Sequence, residues 1–151
     1  MISLVTSLVA LAGCTGTSVS GRLSGREVEL DQASFGVTEQ AAGDGLVTAR
    51  LRLVLRDSKR NITLTVDAIP MGTGKQSAVA GTGALREYAA VVDIDHAGLD
   101  ELQAALARHQ RPLTTPGTVT GTLRLSSLLG DADAEGPFEA QHDPALDQLL
   151  P

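Results

Sequence analysis

Few side chains in this chain stand at spacings that do chemistry. There is one cysteine, Cys14, and there are three histidines, His96, His109 and His142. One thiol can form neither an intramolecular disulfide nor a zinc cluster, and no two of the histidines stand at metal-ligand spacing. Gly72-Thr73-Gly74-Lys75 invites a phosphate-loop reading. That loop needs a glycine five residues before the one preceding the lysine, and a Ser or Thr directly after it. Here those positions are Ile69 and Gln76, so 71–83 reads as a flexible loop with room for a short strand at 77–80. Gly21-Arg22-Leu23-Ser24-Gly25 places its serine one position late for a nucleophile elbow. Asp93, Asp95 and His96 cluster at the end of an alternating segment, and Asp131, Asp133 and Glu135 cluster in a turn. Either set offers carboxylates to calcium, but neither has the spacing of a dedicated loop; capping and a solvated turn are the simpler roles. The residues therefore predict no metal and no cofactor. A catalytic site assembled only by folding, around Asp93, Asp95 and His96, is the alternative to a chain that is not an enzyme.

The surroundings of Cys14 are more specific. From Met1 to Gly21 no side chain is charged, and Ile2, Leu4, Val5, Leu8, Val9, Ala10, Leu11 and Ala12 form an apolar run. A bilayer-spanning helix needs roughly 20 such residues, so this run is too short to span. It has the length of a signal-peptide core and ends in small residues. Leu11-Ala12-Gly13-Cys14 resembles the lipobox of bacterial lipoproteins. The resemblance implies cleavage after residue 13 and a diacylglyceryl thioether on Cys14, often with a third acyl chain on the new α-amine. It thereby implies a lipid-anchored, extracytoplasmic protein of the cell envelope. A signal peptide normally opens with Lys or Arg. None is present, so either translation starts upstream of Met1 or the free amino terminus supplies the charge. Each buried methylene contributes about 0.8 kcal/mol, and one chain binds only reversibly, so two or three make a lasting tether.

Composition narrows the partners. The chain has 12 basic and 18 acidic residues, a net charge of −6. An acidic chain lacks the footprint for nucleic acid, and an anionic leaflet repels it, so lipid must hold it at the membrane. It has no Trp, and Phe35, Tyr88 and Phe138 are its aromatics, which disfavours sites that stack bases or sugars.

The elements that would carry any site are mostly strands. Thr15 to Ser20 is small and polar, a flexible tether. Over Glu27–Val37 the apolar parity flips between Leu30 and Ala33, which calls for a bulge near Asp31-Gln32 or two short strands. Val47, Ala49, Leu51, Leu53 and Leu55, then Ile62, Leu64, Val66 and Ala68, alternate with polar residues on both sides of Asp57–Asn61. That is an antiparallel hairpin with one dry face. Its wet face carries Arg50, Arg52 and Arg56, candidates for binding lipid phosphates or an acidic partner. The plainer role is a solvated face whose arginines pair with local acids. Tyr88–Ile94 alternates again. Leu99, Leu102 and Leu106 then stand at helical spacing, with acids early and Arg108 and His109 late, so a helix is expected over about 96–109. Val119–Leu125 and Ala134–Ala140 form a second hairpin, whose Pro137 predicts an edge strand. Asp143-Pro144 opens a short terminal helix or a frayed tail.

The expected fold is mainly β: an antiparallel sandwich or partly open barrel with one inserted helix, within the 138 residues that follow a 13-residue signal segment in the 151-residue chain. The expected layout is a signal peptide at 1–13, a tether at 14–21, one β-rich domain at 22–142 and a tail at 143–151. The expected role is non-enzymatic binding or structural work at the membrane, with an envelope protein or an apolar small molecule as partner.

Overall fold

The structure, a computed structural model, describes residues 16–41, 43, 45, 47–71, 74–83, 87–94, 99, 102, 104, 108, 115 and 117–150. Among them are nine strands: β1 (Val19–Leu23), β2 (Arg26–Leu30), β3 (Gln32–Ala41), β4 (Val47–Asp57), β5 (Ile62–Pro70), β6 (Gly74–Gly81), β7 (Tyr88–Ile94), β8 (Thr118–Ser126) and β9 (Asp133–His142). The fold is mainly β, as its alternating pattern requires. Strands β3 to β9 pair in sequence, and β9 returns to β3, so seven strands close into a barrel. The closing pair is parallel, Ser34 opposite Gln141 and Phe35 opposite His142. Every other strand pair is antiparallel. The barrel is thus closed rather than partly open, through a contact between strands about 100 residues apart that leaves no local pattern.

Inward residues of all seven barrel strands, together with Val19, Leu23, Val28 and Leu30, form one contiguous core. The outward positions of β4 carry Thr48, Arg50, Arg52 and Arg56. Apolar inside and polar outside is the reverse of a membrane-spanning barrel.

Strands β1 and β2 form a hairpin whose Ser24 (φ 51°) and Gly25 (φ 77°) give the two left-handed residues of a tight turn. The turn is fastened at both ends of its reach. Gly25 N–H donates to the Asp131 carbonyl (3.0 Å), and the Ser24 and Tyr88 hydroxyls hydrogen-bond at 2.6 Å. The change of apolar parity near Asp31 resolves as two strands, β2 and β3. Asp31 N–H donates to Arg56 O (2.9 Å), and its carboxylate takes bonds from the Ser58 amide and hydroxyl.

Several expectations are corrected. The tether was expected to extend through residue 21, yet Val19 to Gly21 belong to β1, because β9 offers them an edge and Val19 buries its side chain. The stretch 71–83, expected as a flexible loop with room for a short strand at 77–80, carries the longer strand β6, paired with β7 over 74–80 despite its glycines. Pro137 is not on an edge, since β9 has β8 on one side and β1 or β3 on the other. Its carbonyl accepts from Ser18 N–H (2.9 Å), so the missing proline N–H faces the chain just before β1 and not the β8 ladder. The terminal segment is not frayed. One 3-10 turn, Pro144–Leu146, is capped by Asp143, and the residues after it run along β3. The helix expected over about 96–109 lies mostly outside the described residues. Leu99, Leu102 and Ala104 have helical backbone, and both leucines are fully buried.

Candidate functional site

The three arginines singled out by the alternation all lie on β4, but the structure gives them different company. The dry face of the β4–β5 hairpin does not run straight. Leu51 faces Ile69 while Leu53 faces Val66, so Asp67 and Ala68 together oppose Arg52. This is a β-bulge, with Ala68 in the left-handed region at φ 59°. It turns Ala68 outward and Ile69 inward, against the expected parity. It also aims Asp67 at Arg52, whose Nε donates to Asp67 Oδ1 at 2.7 Å. Arg56 donates to the Asn61 side-chain oxygen (2.8 Å), and Arg50 to the Ala49 carbonyl (3.0 Å).

Arg50, Arg52, Asp67 and Ala68 line an open groove of about 490 Å³, with Thr38 and Gln148 among the other walls. Arg56 is not part of it. The groove is therefore a polar surface holding two of the three expected arginines beside a strained non-glycine residue, a combination found where strands meet ligands. Residue spacing singled out Arg50 and Arg52. It held no sign of Ala68, Asp67 or Gln148, because the bulge and the return of the C-terminus along β3 are long-range features.

That return is closely bonded. Asp143 N–H donates to Phe35 O (2.9 Å), Val37 N–H to Asp147 Oδ1 (2.8 Å), Gln148 N–H to Val37 O (2.9 Å) and Glu39 N–H to Gln148 O (2.8 Å). Asp147 also meets His142 Nε2 at 2.9 Å, and the His142 ring lies 5.3 Å from Phe35. His142 is thus committed to holding the chain end. Asp93 sits on the outer face of β7 in an open groove with Thr122, Arg124 and Glu135. His142 is two strands away, and five residues along β9 from Pro137, which shares a row with Thr122 and Asp93. The structure does not bring these two together. Asp95, His96, His109 and Cys14 lie outside the described residues. Among the described residues no three His, Cys, Asp or Glu side chains are placed to hold a metal ion.

Among the described residues the most buried ionisable group is Asp57, 1% exposed at the β4–β5 turn. Burial opposes its charge, but the amides of Glu29 (2.9 Å), Lys59 (3.1 Å) and Arg60 (3.0 Å) and the Arg60 guanidinium (3.1 Å) all donate to it. The donors outweigh burial and hold its pKa below the usual aspartate value. Its task is structural, joining β2 to the turn.

A further exposed feature was not singled out by the spacing. Leu128 and Leu129, at the tip of the β8–β9 hairpin, are 106% and 89% exposed. The signal was available: two leucines at a hairpin corner where polar residues normally stand. No protein-family model, curated protein or solved structure matches this chain.

Proposed function

We propose that this chain is a lipid-anchored protein of the cell envelope, held by acyl chains on Cys14, and that its work is binding or structural and not catalytic. The observation that carries this reading is the distance between the lipobox-like Leu11-Ala12-Gly13-Cys14 and the start of the folded body. Only Thr15 separates Cys14 from Gly16, and the contiguous core begins at Val19. A cleaved chain beginning at Cys14 would thus keep every described strand. The polar outer wall agrees with a body that sits on a membrane without spanning it. Among the described residues the inward side chains form one contiguous core, which favours a partner on the outside over an apolar ligand inside. On this reading the Arg50–Arg52 groove is the binding surface to test first.

The test is fractionation of cells expressing the chain with and without globomycin. The reading expects the protein in membranes, accumulation of the uncleaved form under the drug, and release of Cys14→Ser from the mature membrane-bound pool. A protein whose size and partition ignore both treatments would overturn it.

A further inference from the structure

The N-terminal chain leaves the barrel from its side wall and not from a mouth. Thr17 and Ser18 bond to Glu139 and Pro137, midway along β9, where the edge of that strand passes from β1 to β3. Gly16 lies against the Glu139 side chain. Two residues extend at most about 7 Å, so an acylated Cys14 would hold this wall against the lipid headgroups with little slack.

The same strand pair ends in the Leu128–Leu129 tip. Glu139 and Asp133 are six residues apart, about 20 Å along β9, and the leucines stand just beyond. The tip is braced. Gly130 N–H donates to Ser127 O (3.2 Å), Asp131 N–H to Ser127 Oγ (3.2 Å), and the Ser127 hydroxyl bonds to the Asp131 carboxylate. The Asp131 carbonyl takes the Gly25 N–H, which ties the tip to the β1–β2 turn. Two large apolar side chains are thus kept in water by a turn that does not let them fold back.

The wall between anchor and tip carries Asp131, Asp133, Glu135 and Glu139 against Arg22 and Arg124, so it is acidic like the chain as a whole. Asp133 lies opposite Arg22, and Glu135 opposite Arg124. Charge does not draw this wall to an anionic leaflet, so the contact must come from the apolar tip. The tip is two side chains wide, far short of the roughly 800 Å² per partner of a stable protein interface. It suits a fluid apolar boundary better than a protein groove.

We infer that Leu128 and Leu129 are a second membrane contact, dipping into the bilayer that holds Cys14 and fixing the barrel on its side. This rests on the lipid-anchored reading above. The chain has no tryptophan, so Leu129→Trp and Leu128→Trp each introduce a single reporter at an exposed position. Ser77→Trp, exposed on β6 three strands from β9, is the control.

The protein purified from the membranes of expressing cells is reconstituted in vesicles of phosphatidylethanolamine and phosphatidylglycerol with and without brominated acyl chains. Both tip reporters should shift to the blue and be quenched by bromine, while the Ser77→Trp chain keeps aqueous emission. Tip reporters that match the control overturn the inference. So does a blue shift that appears without vesicles and grows with protein concentration, since a second copy would then cover the tip. The mass of Cys14 is read on the same sample. Bromine quenching on an unmodified chain defeats the anchoring reading and leaves the tip contact standing; an acylated chain without quenching does the opposite.

Discussion

The side chain of Thr17 takes the place of a strand residue opposite Glu139: its hydroxyl donates to the Glu139 carbonyl at 3.1 Å and accepts from the Glu139 amide at 2.9 Å. One hydroxyl thus satisfies a backbone donor and acceptor that neither β1 nor β3 reaches. Thr17 is itself buried. Thr17→Val keeps the shape and removes both bonds, leaving two partly buried polar groups unmet. It should cost about 1–3 kcal/mol in denaturant unfolding. A loss within error would mean that water replaces the hydroxyl.

Asp57 makes stability depend on pH. Its folded pKa is depressed, so its contribution is complete above the unfolded value near 4 and is lost as pH falls through the lower folded value. Asp31 shifts in the same direction, mainly through hydrogen bonds from Ser58. Asp57→Asn should therefore lose about 3 kcal/mol at pH 7, and the gap from the parent chain should narrow as pH drops below about 4. Parallel denaturation curves at several pH values measure it; a gap constant down to the acid transition would contradict this role.

Ala68 holds φ 59° at the bulge, a conformation that costs a non-glycine residue about 1 kcal/mol. Ala68→Gly should stabilise the barrel slightly, by up to about 0.5 kcal/mol after the added chain entropy of glycine. Calorimetry reads the sign directly.

Gly36 lets the chain end pass close by. A Cβ there would stand 2.5 Å from Leu146 Cβ and 2.6 Å from its carbonyl carbon. Gly36→Ala should push the terminal turn off β3. Hydrogen exchange should then speed up at the Val37 and Glu39 amides, which donate to Asp147 and Gln148. Unchanged protection at these two amides would show that the turn relaxes in place.

Strand identity was readable in the residues wherever one face is dry. Leu51, Leu53 and Leu55 against Leu64 and Val66 alternate because one side of each strand is core and the other water. The pattern misled at Ala68, where one inserted residue reverses the parity without any glycine to announce it. At β6 it gave only the middle of the strand, 77–80, because Ala78, Ala80 and Gly81 are too small to stand out as a buried row. Pro137 suggested an edge, but β9 is the strand on which β1, β3 and β8 all meet. Closure of the barrel and the docking of residues 143–150 are contacts between distant segments, which local periodicity does not encode. The arginines were found by their alternation, whereas their sorting into groove and turn was set by the bulge.

Lipid on Cys14 is what the proposed function depends on, and it is read from the N-terminal peptide of the protein purified from native membranes. Mass spectrometry should find a peptide beginning at Cys14 and carrying a diacylglyceryl group, with or without a third acyl chain. A peptide that still contains Gly13 joined to an unmodified Cys14 would contradict it.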